Sequence, residues 1–103
     1  MKRVLLAAGL AAWLGITVAA HAGGDAQAGQ AKADPCAGCH GANGEGSSSY
    51  PALAGTPEDK FIAAINEYKS GKRSNAVMKA FAKKLTDPDV ADLAAYYASL
   101  KGK

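Results

Sequence analysis

Residues 36–40 read Cys-Ala-Gly-Cys-His, and no other stretch narrows the possible folds so far. Two thiols three residues apart can each add to one vinyl group of the same porphyrin. The histidine that follows is then carried beneath the ring, where its imidazole can bind iron as proximal ligand. The pattern predicts one covalently bound haem c, with thioethers at Cys36 and Cys39 and His40 on the iron. Three other chemistries share part of it. A thioredoxin-like redox pair wants a βαβ context, and the chain has no convincing strand pattern. A zinc site usually wants four ligands, and there are no further cysteines. A plain structural disulfide suits an exported protein but leaves the adjoining histidine without a purpose.

Export is itself readable. Met1-Lys2-Arg3 is a short basic start, Val4 to Ala20 is uncharged and mostly apolar, and Ala20-His21-Ala22 places small residues where a signal peptidase reads them. Residues 1–22 are therefore expected to be a secretory signal cut after Ala22. The rival reading is an uncleaved anchor. The apolar run of 17 residues lies at the lower limit for spanning a bilayer, and its alanines and glycines make it weakly hydrophobic. Cleavage would remove His21, Met1 and Trp13, leaving His40 and Met78 as the sole histidine and methionine. Bis-histidine ligation within one chain is then excluded, and Met78 is the only thioether available as sixth ligand. Export also fits haem attachment in a bacterial periplasm, with no stable membrane insertion once the signal is gone.

What remains, residues 23–103, is expected to form a single domain. A chain this short buries a modest core and usually needs a staple, which a covalently held porphyrin can supply. Losing Lys2 and Arg3 lowers the net charge from +3 to +1, so the balance offers no argument for nucleic acid. Distribution says more. Lys69, Lys72, Arg73, Lys79, Lys83 and Lys84 follow one another with no acid between them, while Glu58, Asp59, Glu67, Asp87, Asp89 and Asp92 gather elsewhere.

The local pattern is helical throughout. Asp25 to about Asp34 is alanine-rich and lacks β-branched residues, which favours helix, and Pro35 is expected to end or bend it just before Cys36. Gly41–Ser49 reads as a loop, and Tyr50–Gly55 continues it without a period. Thr56-Pro57-Glu58-Asp59 is a helix start, with threonine as cap, proline in the first turn and acids near the positive helix end. Phe61, Ile62, Ile65 and Tyr68 then share a face, and Gly71 is a stop. A loop leading into a short helix is expected around Ala76–Leu85. Thr86-Asp87-Pro88-Asp89 repeats the start signal for a last helix. There Val90, Leu93, Tyr97 and Leu100 form a buried stripe, with Ala94 and Tyr96 at its margins.

That order of features resembles the class I c-type cytochromes, above all one half of bacterial cytochrome c4 and the small single-haem c5/c553 proteins. The matching strings are Ala-Gly-Gln-Ala-Lys at 28–32, Cys-His-Gly at 39–41, Tyr-Pro-Ala-Leu-Ala-Gly at 50–55, Lys-Ser-Gly-Lys-Arg-Ser-Asn-Ala-Val-Met at 69–78 and Ala-Asp-Leu-Ala-Ala-Tyr-Tyr-Ala-Ser-Leu at 91–100. One departure stands out: c4 proteins carry two such domains and this chain has one. The resemblance implies a small all-α cytochrome c fold, three main helices plus a short one, wrapped around the haem.

Residue roles follow from the same likeness. Met78 would be the distal ligand, where a soft thioether raises the potential by favouring ferrous iron; the plain alternative is a core methionine filling an irregular gap. Pro51 matches a proline whose carbonyl accepts the proton on the far nitrogen of the proximal histidine, although a turn proline explains it as well. Leu53, Phe61, Ile65, Phe81 and Leu85 would line the haem pocket, which is also the core. Arg73, or failing that Asn75, would steady a haem propionate; Gly29 and Tyr96 match the place where the first and last helices cross.

Partners of such proteins dock over the haem edge near the distal ligand, so the basic run around Met78 is a candidate docking surface for other redox proteins. Complementary charge there would raise encounter rates, although most charge runs are only solvated faces. The expected function is a periplasmic one-electron carrier of a respiratory chain, not an enzyme, plausibly between a quinol-oxidising complex and a terminal oxidase or reductase. The rival functions are an electron-transfer subunit of a periplasmic oxidoreductase, and a gas-binding or peroxidase-like haem protein with an open sixth site.

Overall fold

A computed structural model describes residues 23–100, so the expected signal at 1–22 lies outside the described residues. Among these the chain forms five helices and no strand: α1 (Ala26–Lys32), α2 (Asp34–His40), α3 (Glu58–Ser70), α4 (Ala76–Lys83) and α5 (Asp87–Ser99). The all-α expectation holds, with one helix more than the sequence suggested. The addition is α2. The first helix does stop before Cys36, but at Ala33, and a new helix starts at once with Pro35 in its first turn. A proline costs nothing there, because its missing N–H would have had no helical partner.

Local signals set most other boundaries. The Asp25 carboxylate accepts the amides of Gln27 and Ala28 and caps α1. Pro57, not Thr56, occupies the cap of α3, with Glu58 and Asp59 in the first turn, and Gly71 closes the helix in a left-handed conformation. The loop expected from Ala76 is absent: α4 begins there directly, because the Asn75 side chain caps it by accepting the Met78 amide. At α5 the Thr86 hydroxyl accepts the Asp89 amide while the Asp89 carboxylate accepts the Thr86 amide, a reciprocal capping box.

The core is built where α1 and α3 meet α5. Phe61 and Ile65 from α3, Ala82 from α4, and Val90, Leu93, Ala94, Tyr96 and Tyr97 from α5 are buried together with Ala33. Ala94 and Tyr96 were expected at the margins of the α5 stripe; both are buried, and Tyr96 lies where α1 crosses α5 at Gly29. Gly29 permits that approach. A Cβ at Gly29 would overlap the Asp92 carbonyl and sit 2.7 Å from the Tyr96 Cβ. Lys32 locks the crossing, with Nζ 2.9 Å from Asp89 Oδ1 and 2.6 Å from Asp92 Oδ2, and the Asp25 amide donates to the other Asp92 oxygen at 2.8 Å. Tyr97 joins the layers: its ring stacks on Phe61 at 5.7 Å and leans on Tyr96 at 5.0 Å.

Candidate haem-binding site

Helix α2 carries both thiols and the histidine. Cys36 and His40 are four residues apart and Cys36 and Cys39 three, so all three side chains share one side of the helix. Cys36 is half-buried against the core and Cys39 is exposed, and the two are free thiols, not a disulfide. Burial pushes the Cys36 thiol above its ordinary pKa, an effect partly offset by the Tyr97 hydroxyl, so the sulfur stays protonated at neutral pH. Tyr97 is raised for the same first reason, burial, and secondly by the neighbouring sulfur.

His40 is buried, and its Nδ1 lies 2.7 Å from the carbonyl oxygen of Pro51. A carbonyl can only accept, so Nδ1 holds the proton and donates. The neutral ring is thereby fixed in one tautomer, with the lone pair on Nε2, which has no hydrogen-bond partner among the described residues. Tyr50 packs edge-on against the same ring, with centroids 5.9 Å apart. The loop that delivers Tyr50 and Pro51 is tied down in sequence. Gly46 donates to the His40 carbonyl, Leu53 and Ala54 both donate to the Gly44 carbonyl, and Gly55 donates to the Tyr97 carbonyl at 2.8 Å. Gly44 has φ +68°, and a Cβ there would come within 2.8 Å of the Tyr97 ring, so the loop path requires glycine twice over.

The other expected residues divide into two groups. Phe61 and Ile65 are buried, and Leu53, Leu85 and Met78 are half-buried and pack against the same core. Phe81 is not buried with them. It is 40 % exposed and lines an outer groove of α4 with Ala76, Val77, Ala80 and Lys84. The Arg73 Nε donates to Glu67 Oε1 at 2.7 Å, and its guanidinium lies over the Tyr68 ring. The Asn75 side chain is engaged by the Met78 amide. Lys69 Nζ donates to the Leu85 carbonyl at 2.7 Å.

The sequence reading placed Tyr97 in the buried stripe of the last helix but missed the contributions of Tyr50, Glu67 and Lys32. Nothing local announces these except the position of Tyr50 beside Pro51. The cap at Asn75 was legible, since asparagine three residues before the residue it caps is a common helix start.

These residues fit a covalently attached haem. Two free thiols and a buried imidazole with one nitrogen committed and the other available lie on one side of α2, and a thioether is held against the same core. No group of three His, Cys, Asp or Glu side chains that could hold a metal ion occurs among the described residues, which leaves the zinc reading without ligands. Fold and site together define a small all-α protein that carries haem through thioethers. The family described as Cytochrome c matches residues 26–101, and the chain belongs to it, with one haem c. It is 47 % identical to cytochrome c4 of Pseudomonas aeruginosa over 85 % of this chain and 44 % of that protein. It is 41 % identical to cytochrome c-554(548) of Halomonas halodenitrificans over 74 % of this chain and 96 % of that protein. The crystal structure of reduced recombinant cytochrome c4 from Pseudomonas stutzeri superposes with a TM-score of 0.73 at 34 % identity, covering 78 % of this chain and 47 % of that one. The chain thus spans about half the length of the cytochromes c4 it matches. It is a small single-haem cytochrome resembling c4, c5 and c553 electron carriers, and it is also 40 % identical to the thiosulfate dehydrogenase electron acceptor of Thiomonas intermedia over 98 % of this chain and 45 % of that protein.

Proposed function

We propose that this chain is a periplasmic one-electron carrier whose iron is held between His40 Nε2 and the Met78 sulfur, with thioethers at Cys36 and Cys39. The observation that carries the reading is the His40–Pro51 contact, because it leaves a single, oriented lone pair on Nε2 beside the two thiols. The haem supplies the ferric/ferrous couple. His40 is held in register by the main chain, through Nδ1 and the Pro51 carbonyl. Met78 would offer a soft sulfur to the iron, and it packs against the core that Phe61, Ile65 and Leu53 help to form.

Docking of redox partners belongs to the same proposal. Of the six cations in the basic run, Lys69 and Arg73 are committed to partners inside the protein. Lys72, Lys79, Lys83 and Lys84 have no ion pair among the described residues, and Lys84 Nζ lies 5.9 Å from the centroid of the exposed Phe81 ring. Unpaired cations of this kind suit a partner with an acidic surface, and encounter with it should slow as salt is raised.

The test is Met78→Ala in the full-length holoprotein. The variant should keep its haem covalently attached, lose the long-wavelength methionine–iron band, bind carbon monoxide in the ferrous form without displacing a ligand, and fall in potential by more than about 60 mV, a tenfold change for a one-electron couple. Retention of the parent's band and potential would remove Met78 from the iron.

A further inference from the structure

The helix that presents Met78 is unequally supported along its length. At its far end Ala82 is fully buried, and the Lys69 ammonium holds the Leu85 carbonyl one turn on. At its near end Ala76, Val77, Lys79 and Ala80 are exposed, Val77 by 61 %. A helix of eight residues is far too short to hold itself together. Its first amides have no helical acceptor, and each would open to water unless a side chain took it. Asn75 meets that need with its side chain, whose Oδ1 accepts the Met78 amide at 2.9 Å. Its main-chain oxygen accepts the Lys79 amide at 2.9 Å as the first ordinary bond of the helix, which any residue at this position would supply. Met78 sits in this first turn, so the residue offered to the iron is also the residue whose backbone the cap holds.

We propose that Asn75 is a positioning residue for the distal ligand: by holding the Met78 amide it sets how readily the sulfur gives way to a competing ligand. The inference rests on Met78 being that ligand. When the cap opens, the first turn frays and Met78 moves with it, while Ala82 and the Lys69–Leu85 contact keep the remainder of α4 in place. The consequence is a local opening at the ligand, distinct from unfolding of the domain.

The experiment is a titration of the ferric holoprotein with imidazole, followed by loss of the methionine–iron band. Asn75→Ala is expected to raise the apparent imidazole affinity about fivefold, the size of effect that loss of an asparagine cap brings. Asn75→Asp, which retains a capping oxygen, should return it to the parent value. Asp25→Ala is the control. It removes a side-chain cap of the same kind from α1, at the other end of the described chain from the ligand, and should lower thermal stability without changing the imidazole titration. An unchanged titration in Asn75→Ala, or an equal rise in Asp25→Ala, would overturn the proposal. Failure of the ligand assignment is separately visible, since Met78→Ala would then keep the band that the titration follows.

Discussion

The two halves of the molecule that face the haem are built in different ways. The histidine half rests on the α1–α5 crossing. There a glycine admits close backbone approach, a lysine bridges two aspartates, and a tyrosine cluster is buried beneath. His40, Pro51 and Gly44 are joined to that block by a run of main-chain hydrogen bonds that includes Gly55 to Tyr97. The methionine half is one short helix with an exposed outer face, held by single attachments at Asn75, Ala82 and Leu85. On the proposed ligation, the difference teaches that His40 is placed by the whole fold and Met78 by a few side chains. Changes to the scaffold should therefore act on stability, and changes around α4 on ligand exchange.

The largest effect is expected where the scaffold is tightest. Gly29→Ala should destabilise the domain by about 3 kcal/mol or more in urea unfolding, since the new Cβ meets backbone at Asp92 and cannot be accommodated by a side-chain rotation. Helix propensity alone predicts the opposite, a gain of about 1 kcal/mol, so the sign decides between the two accounts. Molecules of this variant that do fold should show an unaltered methionine–iron band.

Next in size is Lys69→Met. It removes a charged donor from the Leu85 carbonyl, and about 1.5 kcal/mol of support for α4 should go with it. Stopped-flow mixing with imidazole should show faster displacement of the native ligand, with a smaller fractional change in thermal midpoint than Gly29→Ala produces. A change confined to the thermal midpoint would mean that the two halves are not separable.

The smallest effect is in the pH dependence of the α1–α5 clasp. Asp89 is held down to about 2, first by the Thr86 amide and then by Lys32, and Asp92 is lowered first by the Asp25 amide and then by Lys32. Lys32 is raised by both carboxylates. A depressed carboxylate contributes stability that is complete above its usual 3.8 and lost as pH falls through the folded value. A raised ammonium contributes stability that is complete below its usual 10.5 and lost as pH rises beyond the folded value. The clasp's contribution to the thermal midpoint should thus be constant between those limits and fall on the acid side between pH 3.8 and about 2. Lys32→Met should shallow that acid slope without abolishing it, because the main-chain amides at Thr86 and Asp25 remain. These groups are exposed, so the contribution is small and should shrink in salt.

Much of this was written locally in the chain. The thiols and imidazole of the site occupy five consecutive residues, and caps, acids and apolar spacing marked α3 and α5. What stayed hidden depends on contacts between distant segments. The burial of Tyr96 follows from α1 passing over it at Gly29, which no periodicity within α5 can reveal. The internal commitments of Lys69 and Arg73 were equally invisible, since a lysine that reaches a carbonyl looks, in sequence, like one that faces solvent. Helix α2 was missed for a different reason: a proline was read as a terminator when its position made it an initiator. Phe81 was expected to line the haem pocket with Phe61, and its partial exposure follows from the register of a helix that starts at Ala76.

The acceptor for the His40 proton is a peptide oxygen, not a side chain. Replacing the residue at position 51 cannot delete it, because every amino acid brings the same oxygen to that place. The electronic character of the imidazole is therefore shielded from point mutation and can drift only if the loop between Gly44 and Gly55 is rerouted. Evolution acting on this protein would find the methionine side easy to retune and the histidine side nearly inert.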